Sequence, residues 1–264
     1  MSGQKIPVIQ IILAALFIAL ALFSGSTALY YSAIIFACFA AIQFFAVIAK
    51  PKKLSKSEFD ELDKKYSGKV LVIDALSLIL VLAETAIIYF VFAGLKENAY
   101  KSVAQTAVFT SNPQGLLFMA AFLFSISTIG WIIHYAARKI FGSDYWQYYF
   151  NRKNVGFDTQ KIYGFVSIAA LVLAVPALVF GFADYSAIRD NGVHLNNWGK
   201  LNPVEYTWSD VLEIQEFAGK ENPFYVISFS SKEKWNTSNE KWSAPQEQVI
   251  EFISVKSGKE IEKN

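Results

Sequence analysis

The chain has 264 residues, of which 54% are hydrophobic and 17% charged, with a formal net charge of +2. A chain this apolar is unlike an ordinary soluble domain. Its nearly neutral net charge argues against the strongly basic surface that nucleic-acid binding requires. The charge is divided unevenly, because residues 1–183 contain 15 Lys and Arg against 9 Asp and Glu, whereas residues 184–264 contain 9 against 13. We therefore expect an apolar, basic part followed by an acidic tail.

Five apolar runs of membrane-spanning length occupy most of the first 183 residues. They cover about residues 6–23, 27–49, 70–94, 115–137 and 162–183. A hydrocarbon core about 30 Å thick requires about 20 helical residues, and lipid cannot satisfy the polar groups of any other backbone. The sequence therefore predicts an α-helical polytopic membrane bundle of five transmembrane helices. The first run should be retained, since it is longer than the apolar core of about 7–15 residues in a signal peptide.

The basic residues predict how these helices are oriented. With a cytoplasmic N-terminus, 13 Lys and Arg lie on the cytoplasmic side, in the N-terminal segment and in the 50–69 and 138–161 connections. Only four lie on the other side up to residue 200: Lys96, Lys101, Arg189 and Lys200. The positive-inside rule thus predicts a multi-pass protein of the cell membrane whose C-terminal tail is extracytoplasmic.

The connections and the fifth helix add local expectations. Charge spacing in the 50–69 segment predicts a short surface helix, either a contact with anionic lipid or a solvated segment whose lysines set the topology. The 138–161 segment carries many aromatic residues among charges, which favours an interfacial helix or loop, with a ligand-binding aromatic cluster as the alternative. Ala170 and Ala174 mark a helix-packing face, and Pro176 should kink its helix.

Ionisable residues inside the predicted spans are candidate functional residues, because a charge in lipid is costly unless it is paired or hydrated. Asp74 and His134 lie at similar depths near the cytoplasmic ends of their helices, and Arg138 follows one turn after His134. These depths make a contact of Asp74 with His134 or with Arg138 geometrically possible. Gln10 and Gln43 lie at comparable depths. The structural alternative is a satisfied polar cluster that locks the bundle.

Glu84 is a separate candidate, because it lies near the bilayer centre with no basic residue at matching depth. Hydroxyl groups on the fourth run, at Ser125, Ser127 and Thr128, could hydrogen-bond its carboxyl group. The functional interpretation is a proton or cation relay. The structural interpretation is a neutral carboxyl group held by hydroxyls.

Motifs for enzyme chemistry are absent from the sequence. There is no phosphate-binding loop, HExxH, GxSxG or Cys-x-x-Cys motif, and the two histidines, His134 and His194, are predicted to lie on opposite sides of the membrane. We expect no metal site, no cofactor and no catalytic residue.

Residues 184–264 predict a small β-rich α+β domain with one helix. Asn191-Gly192 lies between apolar pairs and predicts a hairpin turn. The run Phe224–Phe229 alternates at strand spacing, and Pro245–Ser254 has apolar residues on one helical face.

Two stretches of this tail resemble a known family. Asp190-Asn191-Gly192-Val193, followed by the run from Tyr206 to Ile214 (YTWSDVLEI), is similar to the D-G-I … Y-x-W-x-D-I-x-x-I pattern of bacterial pleckstrin-homology-like domains. The resemblance covers about 70 residues and carries no catalytic residue. It implies a curved sheet capped by one helix and fused to membrane helices, with Trp208 and Ile214 in the core and Asp210 in a turn.

Trp235 and Trp242 each follow Glu-Lys, seven residues apart. They could form an exposed aromatic pair that contacts a glycan, the wall or a membrane surface; alternatively, Trp235 is a core residue and Trp242 packs against the helix. For the whole chain we expect a non-enzymatic envelope scaffold, sensor or partner-binding protein. Its partners would be the bilayer and another membrane or envelope protein, not nucleic acid. The alternative is a small proton- or cation-coupled transporter that uses Glu84 and Asp74.

Overall fold

The computed structural model describes residues 32–34, 37, 53–154, 157–196, 203–219, 222–238 and 240–263. Gln10, Gln43 and nearly all of the first two apolar runs lie outside the described residues. The chain divides into two units. The helical unit contains the described residues before Gly94 together with Leu117–Leu178, and the sheet unit contains Gly94–Leu116 and the chain from Val179 onward.

Three described helices are long and apolar enough to cross a membrane. They are α1 (Lys56–Ala99), α3 (Gly115–Phe141) and the Gly164–Ala183 part of α5 (Thr159–Ala183). Length and composition carry this conclusion, and they match the third, fourth and fifth predicted runs. Large apolar side chains cover the outside of α1; Leu78, for example, is 75% exposed and Phe90 is 71% exposed. Such a surface suits lipid rather than water.

The predicted surface helix in the 50–69 segment is not separate from the membrane helix. Residues 56–69 form the beginning of α1, which continues without interruption for 44 residues. The segment contains no proline after residue 51, and Phe59, Leu62 and Tyr66 pack into one aromatic cluster of the helical unit. This packing supports the helix well before its apolar part begins.

The aromatic 138–161 segment contains a helix, α4 (Ser143–Asn151); its interfacial position and the alternative of a ligand-binding aromatic cluster stay predictions. Its buried side chains are Tyr145, Trp146, Tyr148, Tyr149 and Phe150. Two short antiparallel strands follow, β2 (Lys153–Asn154) and β3 (Phe157–Asp158). On α5, Ala170 and Ala174 are buried as predicted, and Pro176 lies within the helix; the kink at Pro176 stays a prediction.

The sheet unit contains two four-stranded sheets. It begins with the end of α1, the short helix α2 (Lys101–Gln105) and strand β1 (Phe109–Ser111). The first sheet has the order β1-β4-β5-β6, and the second has the order β10-β7-β8-β9. The remaining bounds are β4 Tyr185–Arg189, β5 Gly192–Asn196, β6 Val204–Thr207, β7 Val211–Phe217, β8 Phe224–Phe229, β9 Lys234–Asn236, α6 Gln246–Ser257 and β10 Ile261–Lys263.

Strand β1 comes from the connection between α1 and α3, which the sequence analysis treated as a loop of the membrane part. It pairs antiparallel with β4, so Phe109 lies opposite Ile188. All other neighbouring pairs are antiparallel except β10 with β7. The sheet unit therefore includes a segment that precedes the predicted tail by about 70 residues.

The core of the sheet unit combines side chains from both sheets and α6. The prediction for β8 is confirmed, because Tyr225, Ile227 and Phe229 are buried on one face. The predicted helix is confirmed as α6, with Val249, Ile250 and Ile253 in the same core. Ile214 is also fully buried there, and Trp208 packs against the cluster.

The Asn191-Gly192 hairpin is confirmed between β4 and β5. Gly192 has φ +156°, and an added Cβ atom would lie 2.0 Å from the main-chain oxygen of Tyr206. Only glycine fits where β6 approaches β5 this closely.

Candidate functional site

The described helical unit contains a partly buried polar cluster, which we call the Asp74 cluster. Its members are Asp74 on α1, His134 on α3, Tyr145 and Tyr149 on α4, and Arg152 directly after α4. His134 Nε2 lies 3.1 Å from Asp74 Oδ1, and Arg152 Nη1 donates to Asp74 Oδ2 at 3.0 Å. The other His134 nitrogen, Nδ1, lies 2.7 Å from the hydroxyl group of Tyr145.

The hydrogen-bond partners fix the tautomer of the neutral His134 ring. An ionised Asp74 can only accept, so Nε2 carries the proton that it donates to the carboxylate. Nδ1 of the neutral ring is then an acceptor, and the Tyr145 hydroxyl donates to it. A chain of hydrogen bonds thus runs from Tyr145 through His134 to Asp74.

Aromatic rings hold the imidazole of His134 in place. Its ring stacks on Tyr149 with 3.6 Å between centroids, and its side chain is fully buried. The Asp74 and Arg152 side chains are less enclosed, at 31% and 16% exposure. The cluster therefore has a rigid, buried imidazole and an ion pair with limited access to solvent.

The predicted contact between Asp74 and His134 is confirmed, but the predicted alternative partner, Arg138, is not the arginine that pairs with Asp74. The guanidinium of Arg138 lies over the ring of Trp146, 5.6 Å from its centroid, and Arg152 takes the carboxylate. The turn after α3 and the short α4 bring the chain back toward α1, which the spacing of a single helix could not reveal.

Glu84 makes one hydrogen-bond contact with Thr128, as the sequence analysis allowed. Glu84 Oε1 lies 3.0 Å from Thr128 Oγ1, which also lies 2.8 Å from the carbonyl oxygen of Phe124. The hydroxyls of Ser125 and Ser127 instead donate to carbonyl oxygens of their own helix. Within the described part of the chain, Glu84 Oε2 is buried and has no hydrogen-bond partner.

The sheet unit has a buried lysine that the sequence analysis counted only as a loop charge. Lys96 has no exposed surface, and its Nζ donates to the carbonyl oxygens of Pro113 at 2.7 Å and Asp184 at 2.6 Å. Burial raises the pKa of the Asp184 carboxyl to about 6, although the charge of Lys96 opposes the shift. Nothing local in the sequence distinguishes Lys96 from an exposed lysine.

Glu240 lies near this lysine and completes what we call the Lys96 cluster (Lys96, Asp184, Ser186, Trp235 and Glu240). Glu240 Oε1 accepts hydrogen bonds from Trp235 Nε1 at 2.8 Å and from Ser186 Oγ at 3.2 Å. The cluster joins the end of α1 to β4 and to the segment after β9. The hydrogen bond from Trp235 to Glu240 spans five positions of the sequence, and the other hydrogen bonds of the cluster link positions further apart.

Trp235 cannot form part of an exposed aromatic pair, because only 1% of its surface is exposed. The interpretation of Trp235 as a core residue is confirmed. Trp242 is half-buried and meets the Trp235 ring edge-on, with 5.5 Å between centroids, and it packs against the same core as α6. The two rings stabilise the fold rather than offering a joint binding surface.

His194 lies on the first sheet beside a cavity of about 50 Å³. Its Nδ1 lies 3.4 Å from Glu205 Oε1, which also accepts from Arg189 Nη1 at 3.1 Å. Burial lowers the pKa of His194. A cavity of this size holds no more than a few water molecules.

Across the described residues there is no group of three or more His, Cys, Asp or Glu side chains that could hold a metal ion. Comparisons of this chain with protein-family models, with curated proteins and with solved structures found no match.

Proposed function

We propose that the protein is a non-enzymatic membrane scaffold whose helices hold a small folded domain outside the cytoplasm, where it binds another membrane or envelope protein. In this proposal the chain crosses the membrane five times, with its N-terminus in the cytoplasm. The three described apolar helices support the last three crossings. The first two crossings rest on the lengths of the apolar runs, and the orientation rests on the distribution of Lys and Arg.

The Asp74 cluster is the observation that carries the scaffold proposal. Each carboxylate oxygen of Asp74 has a nitrogen donor on a different segment, His134 on α3 and Arg152 after α4. A carboxylate that served as a carrier would need a free oxygen or a path to exchange its partner. A carboxylate whose two oxygens each hold a donor from another segment instead ties three segments together and stabilises one arrangement of the helices.

In this proposal the folded domain is pleckstrin-homology-like, and the architecture of the sheet unit supports this part. Two mainly antiparallel sheets share a core that α6 closes. Asp210 lies in the turn between the sheets, where both the main-chain nitrogen and the hydroxyl of Thr207 donate to its carboxylate. Such a domain uses its surface to bind partners and requires no catalytic group.

Reconstitution of the purified full chain into liposomes tests the scaffold proposal. Liposomes that contain the wild-type chain should hold an imposed proton gradient as long as protein-free liposomes do, because the Asp74 carboxylate already has a donor on each oxygen. The Asp74→Asn variant should hold the gradient equally well while unfolding at a lower temperature. A gradient that collapses with the wild-type chain and persists with Asp74→Asn would contradict the proposal.

One observation favours a second candidate, the coupled transporter. Glu84 has a buried oxygen without a described partner, as a proton-exchanging carboxyl requires. Neither the cavity beside His194 nor a larger one of about 430 Å³ lined by residues 94–105 includes Glu84. In the same liposomes, a proton leak that disappears with Glu84→Gln would support this candidate.

A further inference from the structure

The beginning of α1 and the end of α3 carry an unusual concentration of cations on aromatic rings. Five cation–ring contacts are found there among the described residues. Lys65 and Lys69, which we call the lysine pair, both lie over the ring of Tyr66, at 5.0 and 5.3 Å from its centroid. Lys69 also lies 4.9 Å from the centroid of Phe141.

The lysine pair places two positive charges over the same ring, that of Tyr66. Their i,i+4 spacing puts both ammonium groups on one side of α1, where like charges repel each other. Lys65 has an acidic neighbour, Asp144, but at 4.0 Å and with both side chains more than half exposed. An ion pair of this kind contributes little. Glu61, four residues before Lys65 and exposed, is a second acidic neighbour of Lys65. A bound anion would add a partner that both lysines share.

The rings beneath the lysine pair are fixed. Tyr66 is only 2% exposed, and its hydroxyl donates to the carbonyl oxygen of Phe141 at 3.3 Å, which joins α1 to the end of α3. Tyr66 also meets Tyr145 edge-on, with 5.7 Å between centroids. Because the rings are held by packing, both ammonium groups share one fixed aromatic surface.

The surroundings decide which anion fits. Lys69 is followed at once by the apolar part of α1, where Leu71 and Val72 are 66% and 57% exposed. On α3, Ile140 precedes Phe141 and is 75% exposed. Cations at the boundary of a lipid-facing apolar surface match an amphipathic ligand, with a phosphate for the lysines and acyl chains for the apolar side chains.

We propose that Lys65 and Lys69, with Tyr66 and Phe141 beneath them, form a binding site for the phosphate of an anionic lipid. The site lies where α1 and α3 meet the head-group layer. It does not depend on which side of the membrane this layer faces, and it is independent of the scaffold proposal.

Lipid titration of the purified full chain tests this site. Phosphatidylglycerol and phosphatidylcholine are added separately to the chain in detergent, and bound lipid is counted by native mass spectrometry. Wild type should prefer phosphatidylglycerol. Because a lysine near a lipid surface is worth about 1 kcal/mol, Lys65→Gln or Lys69→Gln alone should weaken phosphatidylglycerol binding about fivefold, and the double variant about 25-fold.

Matched variants separate this site from general attraction. Lys53→Gln with Lys56→Gln removes the same charge from exposed positions just before α1 and at its first residue, where Lys56 lies about 14–20 Å along the helix from the lysine pair, and should leave binding unchanged. Lys65→Arg with Lys69→Arg should retain binding. Thermal unfolding in phosphatidylcholine should be the same for all variants. If the double variant does not fold, the proposal is judged from the binding of phosphatidylglycerol by Lys65→Gln and by Lys69→Gln alone.

Three results would overturn the proposal. The first is equal binding of phosphatidylglycerol by wild type and the folded double variant, or by wild type and the single variants. The second is an equal loss in the Lys53→Gln, Lys56→Gln control. The third is displacement of phosphatidylglycerol by an equal concentration of inorganic phosphate, which would assign the site to a soluble anion.

Discussion

Replacing the arginine that pairs with Asp74 gives a direct measure of the Asp74 cluster. Arg152→Gln removes the guanidinium from the Asp74 carboxylate, which has two nitrogen donors, Arg152 and His134. Hydrogen bonds between charged groups contribute about 1.5–3 kcal/mol, and loss of a fully buried pair costs about 3–5 kcal/mol. With side-chain exposures of 31% for Asp74 and 16% for Arg152, a cost of about 2 kcal/mol is expected.

Arg138→Gln is the matched control, because it removes an arginine charge from the last turn of α3, in a side chain that does not pair with Asp74. Arg138 contacts the ring of Trp146 at 5.6 Å, and an interaction of this kind is worth about 0.5–1 kcal/mol. For a chain of this size, 1 kcal/mol corresponds to about 2–4 °C in melting temperature. We therefore expect Arg152→Gln to lower the melting temperature by about 4–8 °C, and Arg138→Gln by about 1–4 °C.

The assay is thermal unfolding of the purified chain in one detergent, followed by tryptophan fluorescence. Asp74→Asn supplies the second side of a double-mutant cycle: in its background, Arg152→Gln should cost at least about 1 kcal/mol less than in wild type. The assignment of the ion pair is refuted if Arg138→Gln costs as much as Arg152→Gln, or if the cycle gives no coupling.

Three further substitutions test separate features. Glu84→Gln should leave the yield and melting temperature of the folded chain nearly unchanged, because the amide can keep the contact with Thr128 on α3. Loss of folded protein in size-exclusion chromatography would show that the fold requires the acid at position 84. Gly192→Ala should destabilise the sheet unit by about 3 kcal/mol or more, because the new Cβ would collide with Tyr206. Gly258→Ala is the control: Gly258 has φ +67° but open space around it, so this change should cost about 1–2 kcal/mol. Equal resistance of the two variants to proteolysis would contradict this difference. Burial raises the pKa of Asp184 to about 6, so ionisation of its carboxyl destabilises the folded state increasingly from about pH 4 to above pH 6. Asp184→Asn should therefore slow hydrogen exchange in β4 at pH 8 but not at pH 4. Slower exchange by the same factor at both pH values would show that ionisation is not the cause.

Local patterns in the sequence predicted the elements whose structure depends on local chemistry. Apolar length identified α3 and α5, the Asn191-Gly192 pair identified the β4–β5 hairpin, and alternation identified the buried face of β8. In each case the signal and its structural consequence lie within about 25 residues, so no knowledge of the tertiary fold was needed.

The features that the sequence did not reveal depend on contacts between distant segments. Arg152 reaches Asp74 across 78 positions, and Lys96 reaches Asp184 across 88. Strand β1 pairs with β4 although two membrane-length helices, α3 and α5, lie between them in the sequence. The only local signal of β1 is the β-forming run from Val108 to Ser111. Periodicity describes one element at a time, so it does not indicate which partner an exposed-looking lysine or a short strand will find.

The side of the membrane on which the sheet unit lies tests the proposed architecture most directly. Ser231 is exposed in the described structure, and Ser57 is exposed near the start of α1. The single cysteine of the chain, Cys38, is first replaced by serine. In this background, Ser231→Cys should react with a membrane-impermeant maleimide in intact cells, and Ser57→Cys should react only after the membrane is opened. Labelling of Ser57→Cys in intact cells, with Ser231→Cys protected until lysis, would contradict the account.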